Sequence, residues 1–123
     1  MDRIENARIK SVSISMADHD CLTFGIVLDG KAWGCVYGGY AIGDGYLGAD
    51  DDFFKARSNG AGLVAMMKIM DTVGVERWED LVDKYVRVVV KGGSSPIKII
   101  GNIVEDKWFD IGEFFKNYSS GKA

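Results

Sequence analysis

Residues 21–30, CLTFGIVLDG, decide the fold. Leu22, Phe24, Ile26 and Leu28 alternate with Cys21, Thr23, Gly25 and Val27, the period of two that marks a half-buried strand. The neighbouring segments read the same way. Residues 4–15 alternate too, but Ala7 and Ile9 have odd parity whereas Val12 and Ile14 have even parity. That phase change predicts a β-bulge near Lys10–Ser11. MADHD (16–20) supplies the turn between these two strands, and DGK (29–31) a hairpin turn into a third, glycine-rich strand around AWGCVYGGYA (32–41).

Six of the sixteen glycines follow closely: Gly38, Gly39, Gly43, Gly45, Gly48 and Gly60. Residues 42–60 therefore read as a long loop, and long loops in compact domains tend to be functional or mobile. From Leu63 to Val73 the period becomes helical, with Leu63, Met66, Met67, Ile69 and Met70 on one broad face and Gly74 placed to end the helix. RWEDLVDK (77–84) adds one or two helical turns. YVRVVVK (85–91) and IKIIGNIV (97–104) are β-rich runs joined by GGSSP (92–96), a hairpin by its turn chemistry. FDIGEFFKNY (109–118) reads as a short amphipathic helix, and the final SSGKA as a fraying tail. The expectation is one antiparallel α+β domain over residues 1–123, with a central amphipathic helix and a short C-terminal one.

Composition narrows the function. Apolar residues make up 47% and charged residues 27% of 123 residues, with a formal charge of −3. That balance is globular and gives no general attraction for a nucleic-acid polymer, so an anionic ligand must be met by a local basic pocket. No apolar run reaches the length of a membrane span. Cys21 and Cys35 lack metal or redox spacing and read as reduced thiols, which points to the cytoplasm. GDGYLG (43–48) matches the dinucleotide-binding glycine pattern by letter, but Asp50, Asp51 and Asp52 follow where a helix N-terminus is needed, and the context fails. The three aspartates lack calcium-loop spacing, and nothing has zinc-ligand spacing. His19 is the single histidine and stands in a turn without a nucleophile partner. The inventory predicts binding without turnover, no catalytic residues, no metal and no cofactor.

Aromatic and basic residues remain as binding candidates. Trp33, Tyr37 and Tyr40 lie in or beside the strand that contains Gly34, Gly38 and Gly39, where a flat ligand or another backbone can approach closely; cross-strand packing is the alternative. Trp108 and Phe109 read as core. Arg87 alternates with valines, so its side chain leaves on the face opposite Val86 and Val88, as a solvated group or as a phosphate fork. Asn102, disfavoured in a strand, either lines a site or bonds its own backbone.

Taken in order, RIENARIKSVSIS, DHDCLTF, VYGGYAIG, MDTVGVERWEDLVDKYVRV and IGNIVEDKWFD resemble the first family of phage anti-Thoeris proteins. The resemblance spans about residues 3–115 and is weakest over 43–60. It implies a sponge, which binds a cyclic ADP-ribose-type signal, glycocyclic ADP-ribose (gcADPR), without cleaving it, in pockets formed where two protomers meet. It further implies a homo-oligomer, a dimer or a trimer of dimers, in the host cytoplasm, with cyclic di- or trinucleotides as additional ligands in some members. Carried onto this chain, the polar position of the last strand is Asn102. The base-stacking aromatic has Trp33 and Tyr37 among its counterparts. Phosphate contacts fall to Arg57, Arg87 or Lys107. On this reading Asn102→Trp fills the pocket and spares the fold. A module that blocks a host protein by surface contact, and an enzyme that degrades the signal, are the rival classes.

Overall fold

The computed structural model describes residues 2–18, 21–42, 60–92 and 95–119. Over these the fold is α+β. Strands β1 (Arg3–Asp18), β2 (Cys21–Asp29), β3 (Gly34–Ala41), β4 (Tyr85–Val90), β5 (Ile99–Asn102) and β6 (Trp108–Asp110) form one antiparallel sheet in the order β3-β2-β1-β4-β5-β6. Helix α1 (Ala61–Val73), a 3-10 turn at Trp78–Leu81 and helix α2 (Ile111–Ser119) complete it. The loop motif GDGYLG, the aspartates at 50–52, Arg57, His19 and the tail from 120 lie outside the described residues.

Strand β1 serves two partners in succession. Arg3–Arg8 pair with β4, and from Arg8 onward the strand pairs with β2. The register shifts between Ile9 and Ser11, where the parity change in the sequence requires an extra residue. The bulge restores Val12 to the core side after Ala7 and Ile9, and bulges bend the strand that carries them.

The sheet curls until its two ends communicate. Tyr37 on β3 is fully buried, and its hydroxyl donates to the Lys98 carbonyl at 3.1 Å and lies 3.4 Å from that of Phe109. Burial pushes this phenol far above the usual tyrosine range, and the nearby Asp110 charge adds to the effect. Tyr40 stacks on Phe115 of α2 at 4.1 Å. Inside the curl, Ile9, Phe24, Ile26, Leu28, Val86, Val88 and Ile100 pack with Ile69 of α1. Each such side chain contributes about 1.5–3 kcal/mol on burial.

Gly38 shows why the third strand is glycine-rich. Its φ is +100°, and a Cβ there would lie 3.2 Å from the Phe24 ring and 3.3 Å from the Phe24 carbonyl oxygen. Gly39 has φ +80° with open space around it. Gly39→Ala should therefore cost only the left-handed backbone term, about 1–2 kcal/mol. Gly38→Ala should cost that and a displaced Phe24 as well. Urea denaturation of the two variants checks the order.

Four sequence readings need correction. The helix predicted from Leu63 begins at Ala61, and its packed face is Ala65, Ile69 and Thr72 with Met66 and Met70 partly buried; Leu63 and Met67 are exposed. The run 97–104 is a strand only from Ile99 to Asn102; it stops there because the Asn102 side chain takes the Val104 and Glu105 N–H groups into a turn. Trp108 and Phe109 open strand β6, so the C-terminal helix starts two residues later than predicted. Of this pair only Phe109 is core; Trp108 is 36% exposed and lies across Gly101, where a Cβ would meet its ring. The helical turn expected within 77–84 is present, as a single 3-10 turn at Trp78–Leu81.

Candidate ligand-binding cleft

Of the six residues expected to form a site, four separate to opposite ends of the sheet. Arg87, Asn102 and Lys107 meet where β4 begins and β5 ends. Trp33 stands at the other end, beside the start of β1 and the end of β4. Tyr37 is sealed in the core between them, with no face for a ligand to stack on. Arg57 is outside the described residues.

At the first end the polar groups are spent on the chain itself. Asn102 is 7% exposed. Its Nδ2 donates to the Thr72 and Val73 carbonyls at 3.0 and 3.3 Å, at the C-terminus of α1. Its Oδ1 accepts the N–H groups of Val104 and Glu105 at 2.9 and 2.8 Å. Two donors and two acceptor positions exhaust a carboxamide. Arg87 donates through Nε to the Asn102 carbonyl and through Nη2 to that of Glu105, both at 2.7 Å, and its guanidinium lies 4.5 Å from the centre of the Trp108 ring. Lys107 faces Asp71 at 3.7 Å. This end ties helix to sheet, and the Asn102 side chain has no free amide position to offer a ligand.

The opposite end is open. A cleft of about 370 Å³ is bounded by Arg3, Trp33, Cys35, Val90, Pro96 and Ile97, within the size range of small-molecule sites. Its aromatic wall is positioned from two sides. The Trp33 ring packs on Gly30, where a Cβ would lie 2.2 Å from Cε2. Its indole N–H donates to Glu5 Oε1 at 3.1 Å, while Glu5 Oε2 accepts from Nε and Nη2 of Arg3 at 3.0 and 2.7 Å. The chain of bonds Trp33–Glu5–Arg3 fixes an indole face and a guanidinium on the same mouth.

The Trp33 N–H, and after it Arg3, hold the Glu5 carboxyl below the usual glutamate range. A lowered value means the bond is intact above the ordinary glutamate pKa and is lost as pH falls through the lowered one. The indole N–H resonance of Trp33 should therefore shift on acidification with a midpoint below that of an ordinary glutamate. Glu5→Gln should abolish the titration.

A second cleft of about 280 Å³ adjoins the first through Ser95 and Pro96, and Lys91, Lys98 and Asp110 also line it. Arg3, Lys91 and Lys98 thus surround the segment 95–97. They are the local basic pocket that the acidic composition requires of any anion binder, yet none was singled out by sequence reasoning. The signal available was KGGSSPIK (91–98), two lysines flanking a hairpin turn. Among the described residues no cluster of three or more histidine, cysteine, aspartate or glutamate side chains gathers to hold a metal. No described helix is long and apolar enough to cross a membrane. Comparison of the chain with family models, curated proteins and solved structures finds no match.

Proposed function

We propose that this chain is a phage anti-defence sponge, acting in the host cytoplasm, that binds and sequesters gcADPR and leaves it intact. The observation that carries the reading is the Trp33 cleft, an indole face fixed by Glu5 and Gly30 beside a basic rim. That combination suits a ligand with a flat base and a pyrophosphate, since bases stack on aromatics and phosphates take charge-assisted bonds. The ordered sequence resemblance supplies the ligand class, and cyclic di- or trinucleotides share the same two chemical features. A useful sponge must outcompete the effector for its signal, so calorimetry is expected to give a nanomolar Kd, about −12 kcal/mol. Millimolar affinity would remove the reading.

The chain is further proposed to work as a homo-oligomer. Supporting this, β1 beyond Ile9 pairs only with β2 among the described residues, and Ile14, Met16 and Leu22 on the same hairpin are 42–46% exposed. An extended edge with apolar side chains invites another strand. Light scattering after gel filtration should give at least twice the 13.5 kDa of one chain, and Ile14→Lys should shift the mass toward the monomer. A wild-type monomer at micromolar concentration contradicts the assembly. The same exposed hairpin is the observation that favours the second reading, a module that inhibits a host defence protein by surface contact.

A further inference from the structure

We infer that the cleft walled by Lys91, Ser95 and Lys98 is an anion site that takes a pyrophosphate or phosphodiester group. For the identity of the molecule carrying that group, the inference rests on the sponge reading. Lys91 and Lys98 line one cavity of about 280 Å³, and among the described residues neither forms an ion pair. The wall also carries the Asp110 carboxylate, whose Oδ1 accepts the Glu113 N–H at 2.9 Å at the start of α2, so two lysines against one carboxylate leave the lining net positive. Like charges facing one cavity repel, and an anion between them turns that repulsion into attraction. In a chain of net charge −3, such a pocket runs against the charge of the whole.

The backbone of Lys98 is held by two bonds, and its side chain follows a path that a glycine leaves open. Its carbonyl accepts the Tyr37 hydroxyl at 3.1 Å and the Ile111 N–H at 2.9 Å, which fixes the backbone from both sides. Its stem crosses Gly112, where a Cβ would lie 2.9 Å from Cδ and 3.6 Å from Nζ. Only a residue without a side chain leaves the ammonium that path. Ser95 lines the same wall, and its N–H donates to the Gly92 carbonyl at 3.4 Å. Because Ser95 and Pro96 line both clefts, one molecule can place a base against Trp33 and its phosphates against the lysines.

The test titrates the full chain with inorganic pyrophosphate at constant ionic strength, followed by NMR, with adenosine as a phosphate-free control. Saturable binding of pyrophosphate is expected, weakened about tenfold or more in Lys91→Gln and in Lys98→Gln, the loss typical of a charge-assisted bond. Gly112→Ala should weaken it several-fold by displacing the Lys98 stem while keeping every charge. Adenosine should bind wild type and all three variants alike. Pyrophosphate that fails to saturate, or that binds both glutamine variants as it binds wild type, overturns the inference. So does gcADPR capture that is unchanged in the glutamine variants, although the sponge reading then stands. Pyrophosphate binding without gcADPR capture supports the anion site and removes the sponge.

Discussion

Asn102→Leu is expected to lower the stability of the fold by about 3–5 kcal/mol, the sum of several partly buried groups losing their partners. Leucine approximates the shape of asparagine but returns none of its four bonds. The Thr72 and Val73 carbonyls at the end of α1 lose their donor, and the Val104 and Glu105 N–H groups lose their acceptor. Arg87 is anchored on the backbone carbonyl of the same residue, so the turn at 103–107 should loosen with it. The expectation for Asn102→Trp changes accordingly. A bulky ring in this nearly closed position displaces both helix end and turn, so thermal midpoint and ligand binding should fall together. Urea denaturation of Asn102→Leu and Asn102→Trp measures the effect. Wild-type midpoints in both would show that the side chain is not a tie.

Trp33→Ala is expected to weaken gcADPR capture by about 2–3 kcal/mol, roughly 30- to 150-fold, the upper part of the range for loss of one base-stacking aromatic. Trp33→Phe should recover much of it, because a phenyl ring keeps a stacking face while giving up the bond to Glu5. Binding and stability separate here. Trp33 lies at the rim of the sheet and packs on the fringe of the core, so the alanine variant should remain folded. Calorimetry on the two variants, each with a thermal denaturation, gives both numbers. Equal affinity in wild type and Trp33→Ala would place the ligand elsewhere on the chain.

Period carried the fold in the sequence. The alternation of Leu22 to Leu28 and the parity change across Lys10 specify pairing and bulge, because a strand has only two faces and a mismatch must be absorbed by one residue. Gly74 ended the first helix as expected, with φ +94° and its N–H on the Met70 carbonyl. The end of β5 is less legible, because there a side chain competes with the backbone. Asn102 draws the Val104 and Glu105 N–H groups into a turn, and no periodicity announces that. Trp108 was misplaced because its burial depends on Gly101, a neighbour supplied by strand pairing. The site was less legible than the fold. Trp33 does line a cleft with Arg3 of β1, but Lys91, just after β4, and Lys98, just before β5, line the adjoining one. Only the curl that Tyr37 closes brings β3 beside β5.

The most direct test of the sponge incubates the chain with gcADPR, removes unbound ligand, denatures the protein by heat and identifies what is released by mass spectrometry. The sponge predicts intact gcADPR, recovered in proportion to protein and strongly reduced from Trp33→Ala. A chemically altered product would mean an enzyme, and no released nucleotide would contradict capture altogether.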